Sequence, residues 1–147
     1  MVKQIDGDHY GDTDSFQHWD WVVSLRIQYL PATASKYICR WRKKNGVVDL
    51  DKARSYLQKW MENTDSGTTP FFLGVGSGTV NLQTQKLTTS QELHPYESNL
   101  CAKIALACSK ADIHEILLDL DKLYPQRTEQ AEPFGYQEGV NSEYSNH

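Results

Sequence analysis

Five basic side chains, Lys36, Arg40, Arg42, Lys43 and Lys44, fall within nine consecutive positions of the stretch ASKYICRWRKKNG (34–46). The 147-residue chain as a whole is acidic, with 15 lysines and arginines against 19 acidic residues and a formal net charge of −4. A local concentration of cations in such a chain is suited to holding an anion. At about 100° per residue, Ala34, Tyr37, Ile38 and Trp41 share one arc of a helix. Lys36, Arg40, Lys43 and Lys44 share another, with Arg42 on the flank between them. Lys36 and Arg40 stand one turn apart, so both heads can reach a single phosphate, the arginine as a planar fork and the lysine as a point charge. Lys43 and Lys44 extend the stripe by a further turn. The competing reading is a solvated face that keeps a buried helix in water.

His9 and Tyr10 lie in a Gly- and Asp-rich N-terminal stretch that can fold over this basic face, bringing an imidazole and a stacking ring. Phosphoryl transfer asks little covalent work of a protein and much positioning of cations around the phosphate. The catalytic candidates are therefore His9, Lys36 and Arg40. The nucleotide-binding candidates are Tyr10, Lys36, Tyr37, Arg40, Lys43 and Lys44. No metal site is assigned: the five histidines are scattered, and Asp6, Asp8, Asp12 and Asp14 are dense but carry no ligand spacing. Metal dependence stays open. GVGSGT, in the segment 74–79, lacks the lysine of a phosphate-binding P-loop, and no Gly-Lys pair occurs in the chain. Cys39, Cys101 and Cys108 show no CxxC spacing, and Cys101 and Cys108 read as small core residues.

These residues need a scaffold, and the apolar spacing supplies an all-α one. A first helix runs from a cap at Asp14 or Ser15 to about Ile27, with Phe16, Trp19, Val23 and Ile27 recurring at helical steps. Pro31 suits the first turn of a second helix, which Asn45-Gly46 stops. Asp49 caps a third, whose apolar face is Leu50, Ala53, Leu57, Trp60 and Met61. Short links make the second and third helices an antiparallel hairpin, with Tyr37 and Tyr56 packed between them. Trp19, Trp41 and Trp60 read as core, and Lys52 as solvated. Fourteen of the 27 residues from Thr64 to Ser90 are Ser, Thr or Gly, which reads as an irregular linker or flap, with room for a short hairpin through 71–75 and 79–82. Two further helices, about 97–108 and 110–124, flank a Ser109/Asp112 capping box. The expected architecture is a small helical bundle divided as 1–63, a linker 64–96, a helical segment 97–125 and a disordered polar tail 126–147.

GDHY (7–10), HWDW (18–21), KYICRWRKKNG (36–46) and DLDKARSYLQKW (49–60) together resemble a small phage-borne domain family. That family includes the deoxynucleoside monophosphate kinase of T7-like phages, which works without a P-loop. The resemblance covers roughly residues 5–62 and leaves 63–147 without a counterpart. It implies a nucleotide ligand, a nucleoside triphosphate as phosphoryl donor, and the cytoplasm of a host cell. Two other readings use the same basic face: a non-enzymatic phage protein that sequesters a host signalling nucleotide, and a modulator that docks on an acidic host protein.

Composition bounds the partners. No apolar run approaches the roughly 18 residues of a membrane span, and MVKQIDGDHY has no signal-peptide core, so a cytoplasmic location and no membrane association are expected. The acidic balance argues against nucleic acid as a ligand. Trp21 and Leu25 occupy the face of the first helix opposite Phe16, Val23 and Ile27. A helix apolar on both sides needs two covers, so a homo-oligomer is expected.

Overall fold

The computed structural model describes residues 15–64 and 75–125, and these form six helices and no strand. They are α1 (His18–Leu25), α2 (Tyr29–Arg40), α3 (Val47–Glu62), α4 (Ser77–Gln91), α5 (Pro95–Leu106) and α6 (Lys110–Asp121). The fold is a small all-α bundle. Its centre is the α2–α3 hairpin, with α6 packed on α3 and α5 on α2. Gly46 makes the hairpin turn at φ 61°, a left-handed conformation that strains any residue with a Cβ.

Two apolar clusters hold the bundle together. One joins Ala34, Ile38 and Trp41 of α2 and its turn to Leu50, Ala53, Leu57 and Trp60 of α3. Leu100 and Ile104 of α5 and the stripe Ile113, Ile116, Leu117, Leu120 and Leu123 complete it. At α6, the Ser109 hydroxyl accepts a hydrogen bond from the Asp112 amide at 3.1 Å, while the Asp112 carboxylate accepts from the Cys108 amide at 2.8 Å. The Ser109 bond is the cap that the spacing implies; the Asp112 carboxylate closes on the residue before the cap rather than on Ser109 itself.

The second cluster corrects the sequence reading in three respects. Residues 77–91 are not linker but helix α4, and 79–82 fall within it. Val80, Thr84 and Leu87 recur at helical steps and are buried against Trp21, Leu25 and Cys101. The indole Nε1 of Trp21 donates to the Thr84 hydroxyl at 2.9 Å, which lets a threonine serve as a core residue. Secondly, the buried face of α1 is Trp21 and Leu25, whereas Trp19 and Val23 are 57% and 74% exposed. Trp19 is thus not core. Thirdly, α4 covers the Trp21–Leu25 side of α1 within the same chain, while Trp19 and Val23 on its other side stay exposed. Cys108 also differs from expectation, lying exposed beyond the end of α5.

A 15-residue helix rich in Thr, Ser, Gly and Gln is marginal by itself and depends on its packing. Amide exchange across 79–91 is therefore expected to be slow in the native chain and to become fast in Trp21→Ala, with α3 and α6 still protected. Coil-like exchange in the wild type would contradict the packing described.

Among the described residues no helix is long and apolar enough to cross a membrane.

Candidate functional site

The basic run at the end of α2 does not form one uniform stripe. Its members split between holding the fold and facing outward. Arg42 turns back toward α5, where its Nε donates to Glu97 Oε2 at 2.6 Å. The Trp41 indole donates to the same oxygen at 2.6 Å, so a buried carboxylate is held by one cation and one ring N–H. The other oxygen, Oε1, makes no hydrogen bond and has His94 Nδ1 3.7 Å away. Lys43 donates to the carbonyl of Gln91 at 3.0 Å and pins the end of α4. Lys44 is exposed in the turn between α2 and α3.

Lys36, Tyr37 and Arg40 do come together, and a residue read as solvated joins them. The Lys36 ammonium and the Arg40 guanidinium each lie 4.9 Å from the centroid of the Tyr37 ring. Lys52 of α3 brings its ammonium to 5.4 Å from the same centroid. Tyr37 stacks on Tyr56, centroids 6.1 Å apart and planes 23° from parallel, and Tyr56 meets Tyr29 edge-on at 6.2 Å. Three cations thus surround one end of a row of three tyrosines, whose far member, Tyr29, is 69% exposed. The Tyr56 hydroxyl is held above its ordinary range chiefly by its hydrogen bond with Tyr29. Among the described residues neither Lys36 nor Lys52 is within ion-pair distance of a carboxylate.

Arg40 is shared between this face and the core. Its Nε and one terminal nitrogen donate to the Asp49 carboxylate at 3.3 and 3.4 Å, and the Asn45 amide adds a 3.2 Å bond. Asp49 is fully buried in the first turn of α3 rather than capping it; the capping position is Gly46. Burial pushes the Asp49 carboxyl up, but the bonds from Arg40 and Asn45 outweigh it and hold it below the usual range. Asp49 therefore stays charged, and it fixes where the Arg40 fork points.

His18 borders the cluster from α1. Ser35 Oγ donates to the Ala32 carbonyl at 2.8 Å, which spends its single proton. The 2.7 Å contact with His18 Nε2 is then an Nε2–H donating to Oγ. Burial, with the Lys36 ammonium adding to it, lowers the His18 pKa from 6.5 to about 4. The unfolded chain takes up this proton near 6.5 and the folded chain only near 4, so stability falls as pH drops through that window. The urea midpoint is expected to decline from pH 7 to pH 4, and His18→Gln should flatten the decline. An unchanged pH slope in that variant would refute the assignment.

His9 and Tyr10 lie outside the described residues. A small cleft lined by Leu25, Ile27, Pro31, Trp60, Val80 and Ile104 has an enclosed volume of about 30 Å³, room for a water. Among the described residues no group of three or more His, Cys, Asp or Glu side chains is placed to hold a metal ion.

Lys52 is the member that sequence reasoning missed. Its signal was its place in the D-L-x-K-A string, three residues after the Asp49 that anchors Arg40. Comparison with protein-family models, with curated proteins and with solved structures finds no match to this chain.

Proposed function

We propose that the outer face of the α2–α3 hairpin binds a nucleotide, with Lys36, Lys52 and Arg40 around the phosphate and the tyrosine row beside the base. What supports the reading is the convergence of three cations from two separate helices on one tyrosine ring, at 4.9, 4.9 and 5.4 Å. Like charges gathered this closely repel one another, and a bound phosphate turns that repulsion into attraction. Tyrosine faces offer stacking to any base. The two motifs that meet here, K-Y-x-x-R and D-L-x-K-A, are among those on which the resemblance to phage nucleotide kinases rests, with the His9-Tyr10 pair.

The activity proposed is phosphoryl transfer to a deoxynucleoside monophosphate from a nucleoside triphosphate. Lys36, Lys52 and Arg40 would neutralise charge on the transferring group. His9 and Tyr10 keep the roles the resemblance implies for them. A binding face within one chain suffices for this reading, and a second copy is not required for it.

A thermal-shift screen of the full chain against deoxynucleoside monophosphates, di- and triphosphates, cyclic nucleotides and inorganic phosphate tests the binding. A mononucleotide at about 100 times its Kd should stabilise the fold by roughly 2.7 kcal/mol. Phosphate alone should do less, because it leaves the tyrosines unused. Failure of every nucleotide to raise the melting temperature would overturn the reading. A transfer assay with a nucleoside triphosphate and magnesium then separates a kinase from a protein that sequesters its ligand.

A further inference from the structure

We propose that Cys39 and Cys101 form a redox-modification site, a thiol pair across α2 and α5 that a low-molecular-weight disulfide oxidises to an intramolecular disulfide. Their Sγ atoms are 3.6 Å apart although the residues are 62 positions apart in sequence. The helices that carry them pack directly on each other. A disulfide needs about 2.05 Å between the sulfurs, so the two atoms are in contact and have a short gap left to close. The chain's other thiol, Cys108, is exposed and hydrogen-bonds to the Leu106 carbonyl instead.

The two thiols differ in access, and that sets the order of events. Cys39 is half-buried, while Cys101 is fully buried in the second apolar cluster. The hydrogen bond with Cys39, and then burial, keep the Cys101 thiol protonated well above the ordinary range. Cys39 is therefore the entering nucleophile. Its thiolate attacks one sulfur of oxidised glutathione, forming a mixed disulfide and releasing one glutathione thiolate. That thiolate, or water, takes the Cys101 proton, and the Cys101 sulfur attacks the Cys39 sulfur and expels the second glutathione. The proton that Cys39 gives up to solvent on forming its thiolate returns to the second glutathione thiolate, so two protein thiols are oxidised and one small disulfide is reduced to two thiols.

The bond would lock α2, immediately before Arg40, to α5, and it would close a long loop. Such closure restricts the unfolded chain and is expected to raise the melting temperature by on the order of 10 °C. The experiment equilibrates the full chain with oxidised glutathione at pH 8 and maps the non-reduced peptides by mass spectrometry. The expected result is a Cys39–Cys101 linked peptide, Cys108 outside that link as a free thiol or its glutathione adduct, and a melting temperature that returns to its starting value with dithiothreitol. Cys108→Ser should behave as the wild type, and Cys39→Ser should lose the link. Three thiols still titrating after equilibration, a stable glutathione adduct on Cys39, or a link that involves Cys108 would each overturn the proposal.

Discussion

Arg40→Ala is expected to destabilise the folded chain by about 3 kcal/mol and to lower its melting temperature by on the order of 10 °C. The reason is Asp49, fully buried, which would lose both bonds to the guanidinium and keep only Asn45 as a partner. In the wild type the depressed Asp49 carboxyl contributes stability that is complete above its unfolded value of 3.8 and is lost as pH falls through the lower folded value. Without Arg40 the effect of burial dominates and the carboxyl moves upward. The stability deficit of the variant should therefore be largest at neutral pH and should shrink on acidification, as Asp49 takes a proton. Adding Asp49→Asn to Arg40→Ala should recover part of the loss, since an amide tolerates burial without a cationic partner. Urea denaturation of the two variants at pH 7 and pH 4 checks this. An Arg40→Ala protein as stable as the wild type would show that the pair does not hold the hairpin.

Arg40 also shows where sequence reasoning stopped. The wheel of α2 correctly separates Ala34, Ile38 and Trp41, which are buried, from Lys36, which is exposed. It cannot show that Arg40 reaches across to α3, because a single helix's spacing contains nothing about its neighbour's rotation. Lys52 was read as solvated for the same reason. Helices α2, α3, α5 and α6 were legible because their apolar positions are frequent and regular. Helix α4 was not, because its buried face holds only Val80, Thr84 and Leu87, and one of these is a hydroxyl whose burial depends on the Trp21 indole. In α1 the apolar residues surround the axis, and only the position of α4 decides that Trp21 rather than Trp19 is the core tryptophan. The cover for the Trp21–Leu25 side of α1 thus comes from a segment of the same chain that the sequence reading took for linker, and the Trp19–Val23 side remains exposed.

Lys36→Ala and Lys52→Ala are each expected to weaken nucleotide binding about tenfold or more, since a charge-assisted bond to phosphate contributes roughly 1.5–3 kcal/mol. Both side chains are exposed, and neither forms an ion pair among the described residues, so stability should change by less than about 0.5 kcal/mol. That separates them from Arg40, whose loss should reduce stability and binding together. Wild-type affinity should also fall with rising salt, and fall less steeply in either lysine variant, because each removes one charge from the screened attraction. Lys86, on α4 beside the Phe16 ring, serves as a control far from Tyr37 in the packing order.

Calorimetric titration with the deoxynucleoside monophosphate that gives the largest thermal shift tests the central claim most directly. It should compare wild type, Lys86→Ala and the double variant Lys36→Ala/Lys52→Ala. If the three cations around Tyr37 hold the phosphate, wild type and Lys86→Ala bind alike, and the double variant, still folded, binds about a hundredfold more weakly or not measurably. Equal affinity in the wild type and a folded double variant would contradict the account and leave the basic face of α2 and α3 as a solvated surface.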